Sequence, residues 1–166
     1  DIELTVIDID TESITFLEEE DWIENNQLIE GDFLKANLNE LYNGEPFGII
    51  GNFPYNISTQ ILFKALEYKD QALEVVGMFQ KEVARRIASK HKSKEYGILS
   101  VLTQSVFEVE YLFDIGPESF DPPPRVVSGI LSMKRRPQPL AEHTKLKKLA
   151  KAAFNQRRKM MSNSLK

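Results

Sequence analysis

The run Gly51-Asn52-Phe53-Pro54-Tyr55 follows directly on the apolar stretch Phe47-Gly48-Ile49-Ile50. A short buried strand that enters Asn, an aromatic, Pro and Tyr brings an amide carbonyl, a free backbone carbonyl and a flat ring to one place. Those groups suit a nucleobase held by its exocyclic amine. The N6 amine of adenine is a poor nucleophile because its lone pair is delocalised into the ring. A neutral Asn oxygen draws on the amine hydrogens without adding a charge. Pro54 fixes its own φ and donates no N–H to a ladder, so neighbouring carbonyls can be aimed at a ligand. Tyr55 can stack on the base, a contact worth roughly 1–3 kcal/mol in nucleic-acid sites. Such stacking offsets part of the cost of drawing a base out of its helix. Taken alone, Asn-x-Pro-Tyr reads equally as a strand followed by a β-turn.

The surrounding chain alternates strand-like and helix-like segments. Leu4-Thr5-Val6-Ile7 predicts a first strand, followed by a polar helical stretch through Phe16-Leu17 and Trp22-Ile23, with Trp22 as a packing residue. Leu28-Ile29 predicts a short strand ending at Gly31-Asp32, and Phe47 to Ile50 a third. Ser58 is placed to cap a helix from Gln60 to Tyr68, whose Ile61, Leu62, Ala65 and Leu66 share one face. Val75 to Phe79 predicts a fourth strand, with helices near Lys81–Ser89 and Tyr96–Val106. Two late strands, Val109–Phe113 and Val127–Met133, flank the loop Gly116-Pro117-Glu118-Ser119-Phe120-Asp121-Pro122-Pro123-Pro124. This order predicts an α/β sandwich with a mainly parallel sheet and a late hairpin-like pair. Ligands of open α/β sheets bind at the carboxyl ends of strands. Asp8, Asp32 and Asn52 fall at three such ends in succession. An acid at Asp8 can accept both hydroxyls of a ribose, and Asp32 can accept from an adenine amine. Each taken singly also reads as a solvated strand-end side chain.

At 166 residues with 42% apolar and 28% charged residues, the chain is one globular domain's worth of sequence. No run reaches the roughly 18 apolar residues of a membrane span. Without cysteine it forms neither disulfide nor thiolate metal site, which fits a reducing cytoplasm. The net charge of −4 conceals a polarity: residues 1–133 hold 10 Lys/Arg against 24 Asp/Glu, whereas residues 134–166 hold 11 against Glu142 alone. Lys81, Arg85, Arg86, Lys90, Lys92 and Lys94 form a second basic stretch, broken only by Glu82. Such patches suit a phosphate backbone, or else a solvated helix face. His91 and His143 lie outside every motif, and Ser58, Ser100 and Ser128 have no histidine nearby in sequence to activate them, which argues against a metal site and a hydrolase triad. Pro137 and Pro139 mark a boundary, after which Leu146, Leu149, Ala150 and Ala153 keep helical spacing.

Together these features resemble the class I S-adenosylmethionine-dependent methyltransferases, and within them the ribosomal RNA small-subunit adenine dimethyltransferase family. The segments that carry the resemblance are Val6-Ile7-Asp8-Ile9-Asp10, Glu30-Gly31-Asp32-Phe33, Gly51 to Asn56, Met78-Phe79-Gln80-Lys81-Glu82-Val83, Tyr96-Gly97-Ile98-Leu99-Ser100, Phe120 to Val126 and Phe154-Asn155-Gln156-Arg157-Arg158-Lys159. The last is the most discriminating, since the related macrolide-resistance methyltransferases of large-subunit RNA do not usually carry it. The resemblance implies a Rossmann-like methyltransferase sandwich over residues 1–136 and, over 137–166, the start of a small, basic, helical RNA-binding domain. It implies N6,N6-dimethylation of two adjacent adenines near the 3′ end of small-subunit ribosomal RNA, without metal, by a monomeric cytoplasmic enzyme acting on that RNA or its precursor particle. Carried over by position, Asp8, Ile9, Asp32, Phe33 and Asn52 bind S-adenosyl-L-methionine. Asn52 with the Pro54 region clamps the target amine, Tyr55 and Phe120 enclose the base, and Lys81, Arg85, Arg86, Arg157, Arg158 and Lys159 contact RNA phosphates. The family's glycine-rich loop and first strand have no counterpart here, so the expectation is a native protein with a further N-terminal segment. Two competing functions remain: methylation of adenine in large-subunit RNA or DNA, and RNA binding in ribosome assembly without catalysis.

Overall fold

Two compact units, Asp1–Glu45 and Pro46–Lys166, divide the chain in the computed structural model, which describes residues 3–155. In the first unit β1 (Val6–Asp8) pairs in parallel with β2 (Leu28–Glu30), with Asp8 opposite Glu30. Parallel neighbours need a long crossover, and α1 (Thr11–Glu18) lies within it. Asp10 is its N-cap, accepting from the Ser13 N–H at 3.2 Å and the Ser13 hydroxyl at 2.7 Å. That hydroxyl, first among several causes, holds the Asp10 carboxyl below its ordinary range.

The helix stops before the predicted packing residue. Glu18, Glu19, Glu20 and Asp21 stand in succession at its C-terminal end, where the helix dipole disfavours negative charge. Trp22 therefore lies outside α1, 62% exposed, its indole N–H donating to Glu20 at 2.9 Å, while Ile23 is buried in its place. A single turn, α2 (Leu38–Leu41), starts from Asn37 as N-cap and buries Leu38.

The second unit is built on a four-stranded sheet of order β3-β4-β6-β5. Strands β3 (Phe47–Asn52) and β4 (Ala72–Gln80) are parallel, joined through α3 (Ser58–Glu67). Strands β5 (Phe107–Ile115) and β6 (Ser128–Arg135) follow α4 (Lys81–Ala88) and α5 (Ile98–Val106), and both β4–β6 and β5–β6 are antiparallel. The face of α3 read from helical spacing, Ile61, Leu62, Ala65 and Leu66, is buried, and the core also takes in Val75, Phe79, Leu102, Phe107, Leu131 and Met133. Helix α6 (His143–Asn155) lies against α5, with Ala150 buried and the Phe154 ring edge-on to Tyr96. Among the described residues no helix is long and apolar enough to cross a membrane.

Candidate active site

Strand alternation decides what β3 presents at its carboxyl end. Phe47 is buried, whereas Gly48, Ile50 and Asn52 are exposed, so Asn52 belongs to the open face. Its side-chain amide makes no hydrogen bond to any described residue, while its backbone sits in register with Met78. Phe53 then turns inward. A Cβ on Gly77 would come within 2.2 Å of the Phe53 ring, and one on Gly51 within 2.7 Å, so the ring lies across this pair of cross-strand glycines. It meets Phe79 edge-on with centroids 5.6 Å apart and is 7% exposed. Burying the aromatic anchors the chain at the strand end and leaves Asn52 and Pro54 facing solvent.

The turn that follows is held by its own backbone. The Ile57 N–H donates to the Pro54 carbonyl at 3.0 Å, and the Ser58 hydroxyl donates to the Tyr55 carbonyl at 3.2 Å. Ser58 thus begins α3 and braces the turn, in place of the predicted cap; the N-cap is Ile57, with no side-chain bond. Of the carbonyls around Pro54, that of Phe53 has no hydrogen-bond partner among the described residues. Tyr55 is half-buried, and its phenol shares a hydrogen bond of 2.5 Å with the hydroxyl of Ser128, the first residue of β6. Phe120, also half-buried, sits in the loop between β5 and β6 that ends at Ser128, with its N–H donating to Pro117 at 3.2 Å.

In the first unit the two carboxylates stand as the strand ends require. Asp8 is exposed; one of its oxygens accepts the Asp10 N–H at 2.9 Å, and its backbone carbonyl accepts from Gly31 at 2.7 Å. Asp32 is half-buried, accepts the Leu34 N–H at 2.9 Å and has its second oxygen 3.6 Å from the Lys35 ammonium. An ionised carboxylate offers about four acceptor sites, so each keeps capacity for the hydroxyl and amine donors of a nucleoside. Ile9 is 71% exposed beside Asp8, and Phe33 is half-buried beside Asp32.

The basic stretch is partly committed within the fold. Lys81 pairs with Asp114 and Arg86 with Glu82, while Arg85 is exposed and attracts both the Asp114 carboxylate and the Tyr111 phenol. Lys81 and Arg85 also line a cleft of about 400 Å³ with Gln80, Glu95, Val126 and Val127. The Lys81 and Tyr111 hydrogen bonds hold the Asp114 carboxyl below its ordinary range. Burial, then the bond to Asp114, pushes the Tyr111 phenol up to about 12. Exposed ion pairs of this kind are weak, so their cations remain open to exchange of partner. Arg157, Arg158 and Lys159 lie outside the described residues.

Sequence reasoning missed three contributors: Phe53 as the inward anchor, Gly77 as the floor beneath it, and Ser128 as the partner of Tyr55. The aromatic-glycine pairing had a signal, since Gly51 and Gly77 interrupt two otherwise apolar strands, a mark of close approach. Ser128 had none, being 73 residues from Tyr55.

A protein-family model described as ribosomal RNA adenine dimethylase matches residues 3–166. The protein named ribosomal RNA small subunit methyltransferase A of Cytophaga hutchinsonii is 51% identical over 163 residues, which cover 97% of this chain and 63% of the relative. Its namesake in Flavobacterium johnsoniae is 50% identical over 164 residues, covering 97% and 62%. The chain thus spans about three-fifths of the length of these curated relatives. Among solved structures, the 23S rRNA methyltransferase ErmE superposes with a TM-score of 0.77 at 26% identity, over 98% of this chain and 66% of that one. A dimethyladenosine transferase from Plasmodium falciparum superposes with a TM-score of 0.78, also at 26% identity, over 96% and 57%. The architecture is therefore the Rossmann-like methyltransferase fold that the resemblance implies, within the α/β class read from the order of elements. With the family model running through all but the first residues and relatives half identical across nearly the whole length, the chain belongs to the ribosomal RNA adenine dimethylase family.

Proposed function

We propose that the protein dimethylates N6 of two adjacent adenines near the 3′ end of small-subunit ribosomal RNA, using S-adenosyl-L-methionine. The observation that carries this reading is the Asn52 amide, exposed at the end of β3 and unpaired among the described residues, beside a Phe53 carbonyl that is also unspent. Two neutral acceptors suit an amine that must keep its lone pair for attack. Relatives named for the small subunit are about twice as similar in sequence as the 23S enzyme, which favours small-subunit RNA over large.

When bound, S-adenosyl-L-methionine supplies a methyl group on a sulfonium sulfur, open to in-line displacement. Asp8 and Asp32 hold its ribose hydroxyls and adenine amine, with Ile9 and Phe33 as apolar neighbours. The Asn52 oxygen and the Phe53 carbonyl would orient the target amine toward that methyl group, whose S–C bond would break as the N–C bond forms, leaving a neutral thioether and releasing the amine proton to solvent. Neither protein group has to become charged. Tyr55 and Phe120 flank the extruded base, and the rate comes mainly from placement. Lys81, Arg85 and Arg86, with Arg157, Arg158 and Lys159, contact phosphates. In this reading residues 1–136 form the catalytic domain and 137–166 begin a basic RNA-binding one, in a monomeric cytoplasmic protein.

The test is methyl transfer by the full-length protein to small-subunit particles, naked large-subunit RNA and duplex DNA. Label is expected in adenines of the small-subunit RNA; label confined to either other substrate, or none at all, overturns the proposal.

A further inference from the structure

Tyr55 stands in a turn, yet both its backbone and its phenol are tied. The Ser58 hydroxyl donates to its carbonyl at 3.2 Å, and its phenol meets the Ser128 hydroxyl at 2.5 Å, at the short end of O–H···O bonds. The two anchors differ in rigidity. Ser58 opens the helix that the same turn leads into. Ser128 belongs to β6, an interior strand of the sheet, and its backbone is paired on both sides, with Gln80 of β4 and Ile115 of β5. Its relative exposure is 0%, so its hydroxyl has no water to turn to, and the hydrogen bond recorded for it goes to Tyr55. A fully buried hydroxyl on a central strand is fixed in position by the ladder and in bonding by the want of an alternative. A tyrosine ring otherwise rotates about two side-chain bonds, and in a turn little else limits it.

We infer that Ser128 is a positioning residue, which holds the Tyr55 ring through its phenol in the orientation that receives the target base. The inference rests on the proposed function, because only a site that stacks a base gains from a fixed ring. The loop that carries Phe120 runs into β6 at Ser128, so the hydroxyl that holds Tyr55 sits where that loop enters the sheet. Neither residue exchanges protons with the substrate. The contribution is preorganisation: without it the ring samples orientations in which the amine misses its near-attack geometry.

The test compares full-length wild type with Ser128→Ala, Tyr55→Phe and the double variant, none of which removes the aromatic ring. Each single variant is expected to lower kcat about tenfold while KM for RNA stays within about twofold, the pattern of an interaction that matters in the transition state. The double variant should be no slower than either single one, since both remove the same bond. RNA with 2-aminopurine at the target position gives a second readout: its fluorescence quenching on binding should weaken equally in both single variants, while unfolding temperatures fall by about 2–12 °C, the scale of one lost buried hydrogen bond. Wild-type kcat in Ser128→Ala, losses that multiply in the double variant, or a slower enzyme with unchanged quenching each overturn the inference. A wild-type protein that methylates no adenine overturns the proposed function itself, and so is distinguishable from an active wild type matched by its Ser128→Ala variant.

Discussion

The two parallel strand pairs end in opposite chemistry. Beyond β1 and β2 the side chains are carboxylates, Asp8, Glu30 and Asp32, in a unit that holds 14 Asp/Glu against Lys35 alone. At the ends of β3 and β4 the side chains are uncharged, Asn52, Tyr55 and Gln80, with Ser128 alongside in register, and Lys81, the next residue after Gln80, is paired with Asp114. In the proposed function the difference follows from what each end would hold. Ribose hydroxyls and the amine of a cofactor's adenine do not react, so a charged acceptor can grip them through strong hydrogen bonds. An amine that must attack is better served by neutral acceptors, because a carboxylate nearby would invite protonation changes at the reacting centre. In the proposed function the carboxylates belong to the donor-binding end, and the uncharged Asn52 and Tyr55 to the end where the amine reacts.

The comparison breaks most visibly at Asn52. Asn52→Ala should slow methyl transfer about 100-fold to 1,000-fold, the scale of losing one preorganised hydrogen-bonding group at a reacting atom. RNA affinity should stay within about twofold, as single-turnover rates and filter binding would register. At the other end, Asp8→Asn keeps shape but removes charge. Donor affinity measured by calorimetry should fall about tenfold to 100-fold, in line with roughly 1.5–3 kcal/mol for a hydrogen bond to a charged group. Transfer at saturating donor should barely change, which is the reverse of the Asn52 result.

Smaller effects sharpen the account of the second unit. Gly77→Ala pushes a Cβ into the Phe53 ring, and overpacking of this kind costs about 1–3 kcal/mol. That cost should vanish in a Phe53→Ala background, where chemical denaturation would show the two changes to be strongly coupled. The smallest effect is a pH dependence. The Tyr111 pKa is raised from 10.0 to about 12, first by burial and then by Asp114, so its neutral form is the one the fold favours. Its stabilising contribution is present in full below pH 10 and lost as pH rises through about 12. The difference in unfolding temperature between wild type and Tyr111→Phe should therefore narrow across that window and stay level below it.

Much of this organisation was legible in the sequence. The strand ends at Asp8 and Asn52, the buried face of α3 and the late antiparallel pair all follow from local apolar patterning, which two- and 3.6-residue periods capture. What patterning cannot carry is register between distant strands. Tyr111 and Asp114 are three apart and would face opposite sides of a regular strand. A bulge at Leu112 puts them opposite Leu131 and Gly129, on one face, where they bond. Ser128 has no partner near it in the chain, and Trp22, a helix-packing residue by sequence, is left outside α1 because the four preceding carboxylates act on the helix end as well as on net charge. The candidate site was thus readable as a list of residues, while the contacts that fix their orientations were not.

In the proposed function the Asn52 side-chain oxygen accepts from the exocyclic amine of an adenine. A crystal structure of the full-length protein with a methyl-donor analogue and adenine-containing RNA tests it most directly. The target N6 is expected within about 3.2 Å of both the Asn52 oxygen and the Phe53 carbonyl, with the base against Tyr55. An extruded adenine whose amine is bonded elsewhere, with the Asn52 amide facing solvent, would contradict it.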